Sequence, residues 1–199
     1  MARPFRDRMD DGILDIAAAL FARRGFARTS VQEVADAVGL SKAGLLHHFP
    51  SKDALHRAVL GQAEALGRRV LDQAGDPPQG PARDRYVLEF LVDVALAHPG
   101  LVALLLAPVS RGEQESAIAE LDAAGAAALR AFGVDPEAPS SERAIRVVGS
   151  LTALAVLTLT AHARDTTTTW RPVIVATCFD ALGHPHPGAT RPAPDQVEA

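Results

Sequence analysis

Apolar side chains recur every three or four residues through most of the chain, which is the periodicity of amphipathic α-helices. The first clear example runs through Ile13, Ala17 and Phe21 and ends at Gly25, directly after two arginines. Later segments with the same period are predicted at about 82–97, 101–110, 113–132, 141–164 and 169–182. No segment shows the strict apolar–polar alternation of a half-buried strand. The pattern therefore predicts an all-α protein.

A second helix is expected directly after the first. Ser30 and Glu33 have the spacing of a capping box, and the apolar positions that follow stop at Gly39. This helix should therefore have only two turns. A longer fourth helix should begin after Ser51 and reach about Gln73.

The third helix lies between these two and is shorter still. Ser41 can cap a helix that starts at Lys42, and Pro50 disfavours the helical conformation in the residue before it. Within this helix Leu45 and Phe49 are four residues apart and can both face a core. The second and third helices then form a helix-turn-helix, whose third helix has an outer face free to enter a DNA groove.

The order of segments predicts two domains and a tail. We expect a three-helix helix-turn-helix domain over residues 6–50, a helical bundle over 51–183 and a disordered tail rich in proline over 184–199. The charge is uneven, because residues 1–60 carry nine basic and seven acidic side chains although the whole chain has a net charge of −4. This uneven charge indicates a local surface that binds a polyanion, and it argues against a protein whose whole surface is basic.

Cysteine usage and the apolar runs bear on the compartment. Cys178 is the only cysteine, so no disulfide can form within the chain. The charged start does not resemble a signal peptide, and the longest apolar runs are shorter than the roughly 20 residues that span a bilayer. We therefore expect a cytoplasmic protein that does not enter a membrane.

The stretch ILDIAAALFARRGFARTSVQEVADAVGLSKAGLLHHFPSKDALHRAVL, residues 13–60, resembles the amino-terminal DNA-binding domain of TetR-type transcriptional regulators. The resemblance implies base-reading positions at Lys42, Ala43, Leu46 and His47. It implies phosphate-contacting positions at Ser30, Gly44, Leu46, His48 and Lys52. Gly44 and Leu46 depart from the family, which generally has a hydroxyl residue and a tyrosine there. We expect the phosphate contacts to come from Lys42, His48, Lys52, the arginines before the first helix and the amides at the start of the fourth helix, and Leu46 to contact a thymine methyl group.

The resemblance also implies that the second domain binds a small-molecule effector and forms a homodimer on a palindromic operator in double-stranded DNA. The proposed interface lies on the last two helices, at Val147, Leu151, Leu154, Thr158, Val173, Ala176, Thr177 and Asp180. The residues expected to border an effector cavity are Tyr86, Phe90, Asp93, His98, Leu101, Leu105 and Trp170. For each residue in these two sets, an ordinary place in the core or on the surface is the alternative.

Other classes of function have weaker support. An enzyme would need a paired nucleophile and base or a set of metal ligands, and the sequence has neither an HExxH motif nor a phosphate-binding GxxxxGK loop. Adjacent His47 and His48 point about 100° apart on a helix, so we expect no metal site and no cofactor. A regulator that acts mainly through a protein partner is the remaining alternative, since Gly44 and Leu46 remove hydrogen-bond donors to phosphate.

Overall fold

The computed structural model describes residues 3–75, 79–111, 119–137 and 141–184, and these ranges contain helices but no strand. In chain order the helices are α1 (Arg3–Arg24), α2 (Val31–Val38), α3 (Lys42–His48), α4 (Lys52–Ala74), α5 (Pro81–Ala97), α6 (Pro99–Arg111), α7 (Ala119–Ala131), α8 (Glu142–Ala163) and α9 (Thr167–Ala181). The predicted all-α class with an amino-terminal helix-turn-helix is confirmed. The part of the seventh predicted helix before Ala119 overlaps residues 112–118, which lie outside the described residues.

Helix α2 begins at the predicted capping box. The Ser30 hydroxyl accepts the Glu33 amide at 3.2 Å, and the Ser30 amide donates to the Glu33 carboxylate at 2.8 Å. The bond from the Ser30 backbone holds the pKa of Glu33 below its usual value, and Arg24 at the end of α1 lowers the pKa further by pairing with the same carboxylate. Gly39 ends the helix with a φ of 72°, a left-handed conformation that favours glycine.

Helices α3 and α4 also begin at their predicted serine caps. Ser41 Oγ accepts the amide of the third residue of α3 at 3.0 Å, and Ser51 Oγ does the same in α4 at 3.0 Å. Phe49 has an extended conformation (φ −131°, ψ 106°) before Pro50, so α3 stops after seven residues. The helix-turn-helix therefore follows from local rules of chain geometry.

Helix α1 begins earlier than the apolar pattern predicts. It starts at Arg3, so the arginines expected before the first helix lie inside it. Two polar contacts hold the turn directly before Ile13. Asp10 Oδ1 lies 2.6 Å from His48 Nδ1 at the end of α3, and Asp11 accepts a 3.0 Å hydrogen bond from Gln62 of α4. The pattern missed this extension because polar contacts, and not apolar spacing, hold it in place.

The described residues pack around two apolar cores. The first core joins α1, α2, α3 and the start of α4, and it includes Ile13, Phe21 and Leu45. It also receives Leu101 and Leu104 from α6, so the helix-turn-helix shares its core with the second half of the chain. The second core is built from the end of α4 with α5, α8 and α9. The predicted boundary between residues 50 and 51 stays a prediction, since α4 contributes to both cores.

Helix α8 is long and apolar enough to span a membrane by length and composition alone. Its inner face, however, carries Ala144, Val147, Ser150, Leu154 and Thr158 into the second core. A core helix of a folded domain passes the same test, so this property is weak evidence for a membrane span.

A buried carboxylate fixes the end of the described chain. Asp84 of α5 is 2% exposed and receives Arg143 Nη2 from α8 at 2.8 and 2.7 Å. His184 Nε2 lies 2.6 Å from the same carboxylate, and its ring packs against Phe179. His184 is therefore anchored to the bundle, and the predicted tail is corrected at this residue; residues 185–199 lie outside the described residues.

Candidate nucleic-acid interface and ligand cavity

The outer face of α3 is exposed as the sequence predicts. Lys42, Ala43 and His47 are exposed, and Leu46 is half-buried. Leu45 points the other way and is only 1% exposed in the first core. Since α3 has seven residues, this arrangement leaves a short helix with a bare outer surface. Such a surface can approach base edges closely.

The two lysines of the chain have different surroundings. The Lys52 ammonium donates to the carbonyls of Phe26 at 2.9 Å, Thr29 at 3.0 Å and Ala27 at 3.4 Å, and it lies 4.2 Å from the centre of the Phe26 ring. Its three N–H donors are thereby used inside the protein. Lys42 makes no such contact within the described part of the chain.

The other predicted phosphate contacts are partly engaged as well. His48 is half-buried because its ring pairs with Asp10. The Gly44 amide donates to Ser41 Oγ at 3.0 Å, so this amide is also occupied. Ser30 is exposed at the amino end of α2. Among the predicted phosphate contacts, Lys42 is therefore the cation without an internal partner in the described residues.

A cavity of about 630 Å³ lies between α4, α5, α6, α7 and α8. Most of its described lining is apolar, and the polar side chains are His98, Asp122 and Thr152. The Thr152 hydroxyl already donates to the Val148 carbonyl at 2.8 Å, and Asp122 is exposed at the surface. His98 is the half-buried polar group, and its ring has no hydrogen-bond partner in the described ranges. The cavity thus suits a molecule with a largely apolar body.

Three of the seven residues that the sequence suggested for this cavity line it, and four do not. His98, Leu101 and Leu105 line it. Four others do not, and the expected lining is corrected accordingly: Tyr86, Phe90, Asp93 and Trp170.

Each of these four has another place in the fold. Tyr86 is 54% exposed and Phe90 packs against the second core. Asp93 accepts two hydrogen bonds from Arg171, at 2.6 and 2.8 Å, which lower the pKa of this carboxyl. Trp170 packs against the second core, and the Arg164 guanidinium lies 5.9 Å from its ring.

The wall supplied by α7 was missed altogether. It consists largely of small residues, Ala124, Gly125, Ala126 and Ala128 among them. The run AAGAAA in the sequence is a usable signal, because small side chains leave space between packed helices.

The predicted interface on α8 also needs correction. Val147 and Thr158 are 0% and 1% exposed, so they belong to the second core. Leu151 and Leu154 line the cavity. A different stripe of α8 is exposed, and we call it the outer α8 face: Ile145, Gly149 and Val156. Val148 and Thr152 lie at its edge, where they are exposed but also line the cavity. On α9 the predicted Val173, Thr177 and Asp180 are exposed, and Ala176 is half-buried.

Cys178 lies on the inner side of α9 and is fully buried. Burial raises the pKa of its thiol to about 11. The thiol therefore stays protonated at neutral pH and is a poor nucleophile. No group of three or more metal-ligating side chains occurs in the part of the chain that the structure describes.

Comparisons with known proteins agree with this geometry. The model of bacterial regulatory proteins of the tetR family matches residues 13–59. An uncharacterized HTH-type transcriptional regulator, Rv1255c of Mycobacterium tuberculosis, is 31% identical over 147 residues, covering 72% of this chain and 73% of that protein. The HTH-type transcriptional repressor KstR2 of the same species is 39% identical over 69 residues, so the match spans only 34% of that repressor.

The fold has a solved counterpart. A TetR-like transcriptional regulator from Rhodococcus sp. RHA1 aligns with a TM-score of 0.56 over 92% of this chain and 98% of that chain. At 19% identity this likeness concerns the fold alone.

Proposed function

Because the chain belongs to the tetR family of bacterial regulatory proteins, we propose that this DNA-binding transcriptional regulator is a cytoplasmic, homodimeric repressor. It binds a two-fold symmetric operator and is released by a small apolar effector. The observation that carries the proposal is the outer face of α3, where Lys42 stands exposed and unpaired among the described residues. Of the relatives described above, Rv1255c is named a transcriptional regulator and KstR2 a repressor.

Base reading falls to the exposed side chains of α3. Lys42 and His47 can donate hydrogen bonds to base edges, and Ala43 permits close approach. Leu46 is half-buried at the edge of this surface, where it can contact a thymine methyl group.

Phosphate contacts are shared among fewer groups than the family pattern implies. Lys42, the exposed Ser30 hydroxyl and the second ring nitrogen of His48 remain available for them. Lys52 acts indirectly, because its ammonium holds the turn before α2 in place. Gly44 contributes close backbone approach, since it has no side chain to hold DNA away.

The dimer uses the outer α8 face together with the exposed side of α9. Ile145 and Val156 are 68% and 51% exposed, an unusual level for large apolar side chains on one helix. Val173 of α9 is 63% exposed. A two-fold axis through these faces would form a four-helix bundle. Binding to a two-fold symmetric operator then requires the two copies of α3 to lie about 34–36 Å apart, the repeat of the major groove.

The effector occupies the cavity between α4 and α8. The described lining offers little polar chemistry apart from His98, so the effector has an apolar body and one hydrogen-bonding group.

Selection of duplexes from a random DNA pool tests the proposal. The wild-type protein is compared with a Lys42→Ala, His47→Ala double variant and with a matched Arg130→Ala, His162→Ala control, whose side chains are exposed away from α3. We expect the wild type and the control to enrich the same two-fold symmetric site, and the double variant to enrich none. Failure of the wild type to enrich any sequence, at low or high salt, would contradict direct operator binding and favour a regulator that acts through a protein partner.

A further inference from the structure

Helix α6 is capped by a carboxylate from another helix. Asp15 of α1 accepts the Gly100 amide at 3.0 Å with one oxygen and the Leu101 amide at 3.1 Å with the other. Pro99 has no N–H, and the Val102 amide bonds to the His98 carbonyl at 3.1 Å. Every amide in the first turn of α6 therefore has a partner, and α1 supplies two of the acceptors.

The same contact is tight at the backbone. A Cβ on Gly100 would lie 1.8 Å from the Asp15 carbonyl oxygen and 2.7 Å from its carbonyl carbon. Neither atom belongs to a flexible side chain, so any larger residue must push the two helices apart. We call Asp15, Gly100 and Leu101 the α1–α6 joint.

One side of the joint leads to the recognition helix α3. Asp10 on α1 pairs with His48 at the end of α3 at 2.6 Å. Leu45 of α3 shares the first core with Ile13 and Ala17 of α1. Asp10 and Asp15 are five residues apart, about 7.5 Å along the axis and about 140° around it, so α1 lies between α3 and α6.

The other side of the joint leads to the cavity. Leu101 belongs to the joint and lines the cavity, and His98 and Val102 beside it are also lining residues. Helices α5 and α6 meet here at an angle of 100°. A molecule that contacts this corner therefore presses on the turn of α6 that Asp15 holds.

We propose that the α1–α6 joint positions the recognition helix relative to the cavity wall, so that Asp15 and Gly100 are positioning residues for operator binding. This inference rests on the proposed function and specifies which residues connect the cavity to the recognition helix. A shift of the first turn of α6 moves α1, and α1 moves α3 through Asp10 and the shared core. Because coupling between two sites is reciprocal, operator binding also changes the mobility of the cavity wall at this corner.

Two substitutions at the joint test this in the full-length protein. Gly100→Ala introduces the backbone clash, and Asp15→Ala removes the cap without adding atoms. The matched control is Gly12→Ala, in the same helix as Asp15, where a Cβ meets nothing within 4 Å. We expect Gly100→Ala and Asp15→Ala to weaken binding to the selected operator at least tenfold at temperatures where circular dichroism shows them folded. The operator affinity of Asp15→Asn, which keeps one acceptor, should lie between the affinities of Asp15→Ala and the wild type.

Hydrogen exchange distinguishes a positioning role from a purely stabilising one, because operator DNA should not change amide exchange at a contact that only stabilises the fold. We expect operator DNA to slow exchange at the Gly100 and Leu101 amides of the wild type, and to have a smaller effect there in Asp15→Ala. The positioning role of the joint would be wrong if Gly100→Ala and Asp15→Ala bound the operator as tightly as Gly12→Ala does. It would also be wrong if operator DNA did not change exchange at these two amides. In either case operator binding itself would stay established. A wild type that selects no operator would instead remove the proposed function itself.

Discussion

Helices α3 and α4 begin with the same two residues, serine and lysine, and the two lysines have opposite surroundings. Both serine hydroxyls, of Ser41 and Ser51, accept an amide three residues later at 3.0 Å. Lys42 is exposed without an internal partner in the described ranges, whereas the Lys52 ammonium lies 2.9 Å from the Phe26 carbonyl and has two further carbonyls within reach. The sequence Ser-Lys thus determines the helix cap in both places, but it does not determine the contacts of the lysine that follows the serine.

The difference has an electrostatic reason. A cation in the first turn of a helix opposes the helix dipole and is unfavourable unless acceptors or anions surround it. Lys52 finds its acceptors in the turn at residues 25–29, which the fold brings against α4. Lys42 finds none in the described protein, so DNA phosphate or a base acceptor is the partner that would offset its position.

The largest effect should come from Lys52→Met, which keeps the aliphatic stem and removes the ammonium. We expect the free energy of unfolding to fall by about 2–3 kcal/mol, because carbonyls of the turn lose a charged donor. The salt dependence of operator binding by the folded protein should stay unchanged. Urea unfolding and anisotropy titrations measure the two quantities.

Arg57→Met is the matched control, since it removes an exposed cation from the next turn of the same helix. It should leave stability nearly unchanged. If Lys52→Met instead left stability intact and reduced the salt slope of operator binding, Lys52 would be a phosphate contact after all and the contrast between the two lysines would disappear.

Lys42→Ala should have the complementary effect. We expect operator affinity to fall about tenfold, or ~1.4 kcal/mol, and the slope of log K against log salt to fall by about 1, since one phosphate or base contact is lost. The unfolding midpoint should stay the same or rise slightly, because the exposed side chain has no partner within the described residues and its charge opposes the dipole of α3. Equal affinities for the variant and the wild type across a salt series would remove Lys42 from the interface.

Local signals explain why the helix-turn-helix could be predicted. The Ser30–Glu33 box, the Ser41 cap and the break before Pro50 each involve residues at most a few positions apart. The partners of Lys52 are 23 to 26 residues away, and those of Asp15 are 85 and 86 residues away. Spacing along one helix carries no information about such contacts.

Helix α8 shows a second limit of periodicity. Val147 and Leu154 make an apolar stripe on one side, and Ile145 and Val156 make another on the opposite side. When both sides of a helix are apolar, the pattern cannot decide which side faces the protein's own core. The cavity was equally hidden, because its walls come from five helices that meet only in the folded chain.

The smallest expected effect concerns α2, the helix whose serine start has a carboxylate at its third position. The pKa of Glu33 lies below its ordinary value of 4.5, first because the Ser30 backbone donates to the carboxylate. A lowered folded pKa stabilises the protein above the unfolded value, and this stabilisation is lost as the pH falls through the folded value. Glu33→Gln should therefore lower the unfolding temperature slightly near neutral pH, and the difference from wild type should shrink steadily below pH 4.5. Thermal scans across acidic pH measure this, with Glu137→Gln, outside any helix, as the control. A difference that does not depend on pH would mean that the glutamine amide replaces the carboxylate fully. The charge of Glu33 would then add nothing to the cap of α2, and the carboxylate that distinguishes this cap from those of α3 and α4 would act only as a hydrogen-bond acceptor.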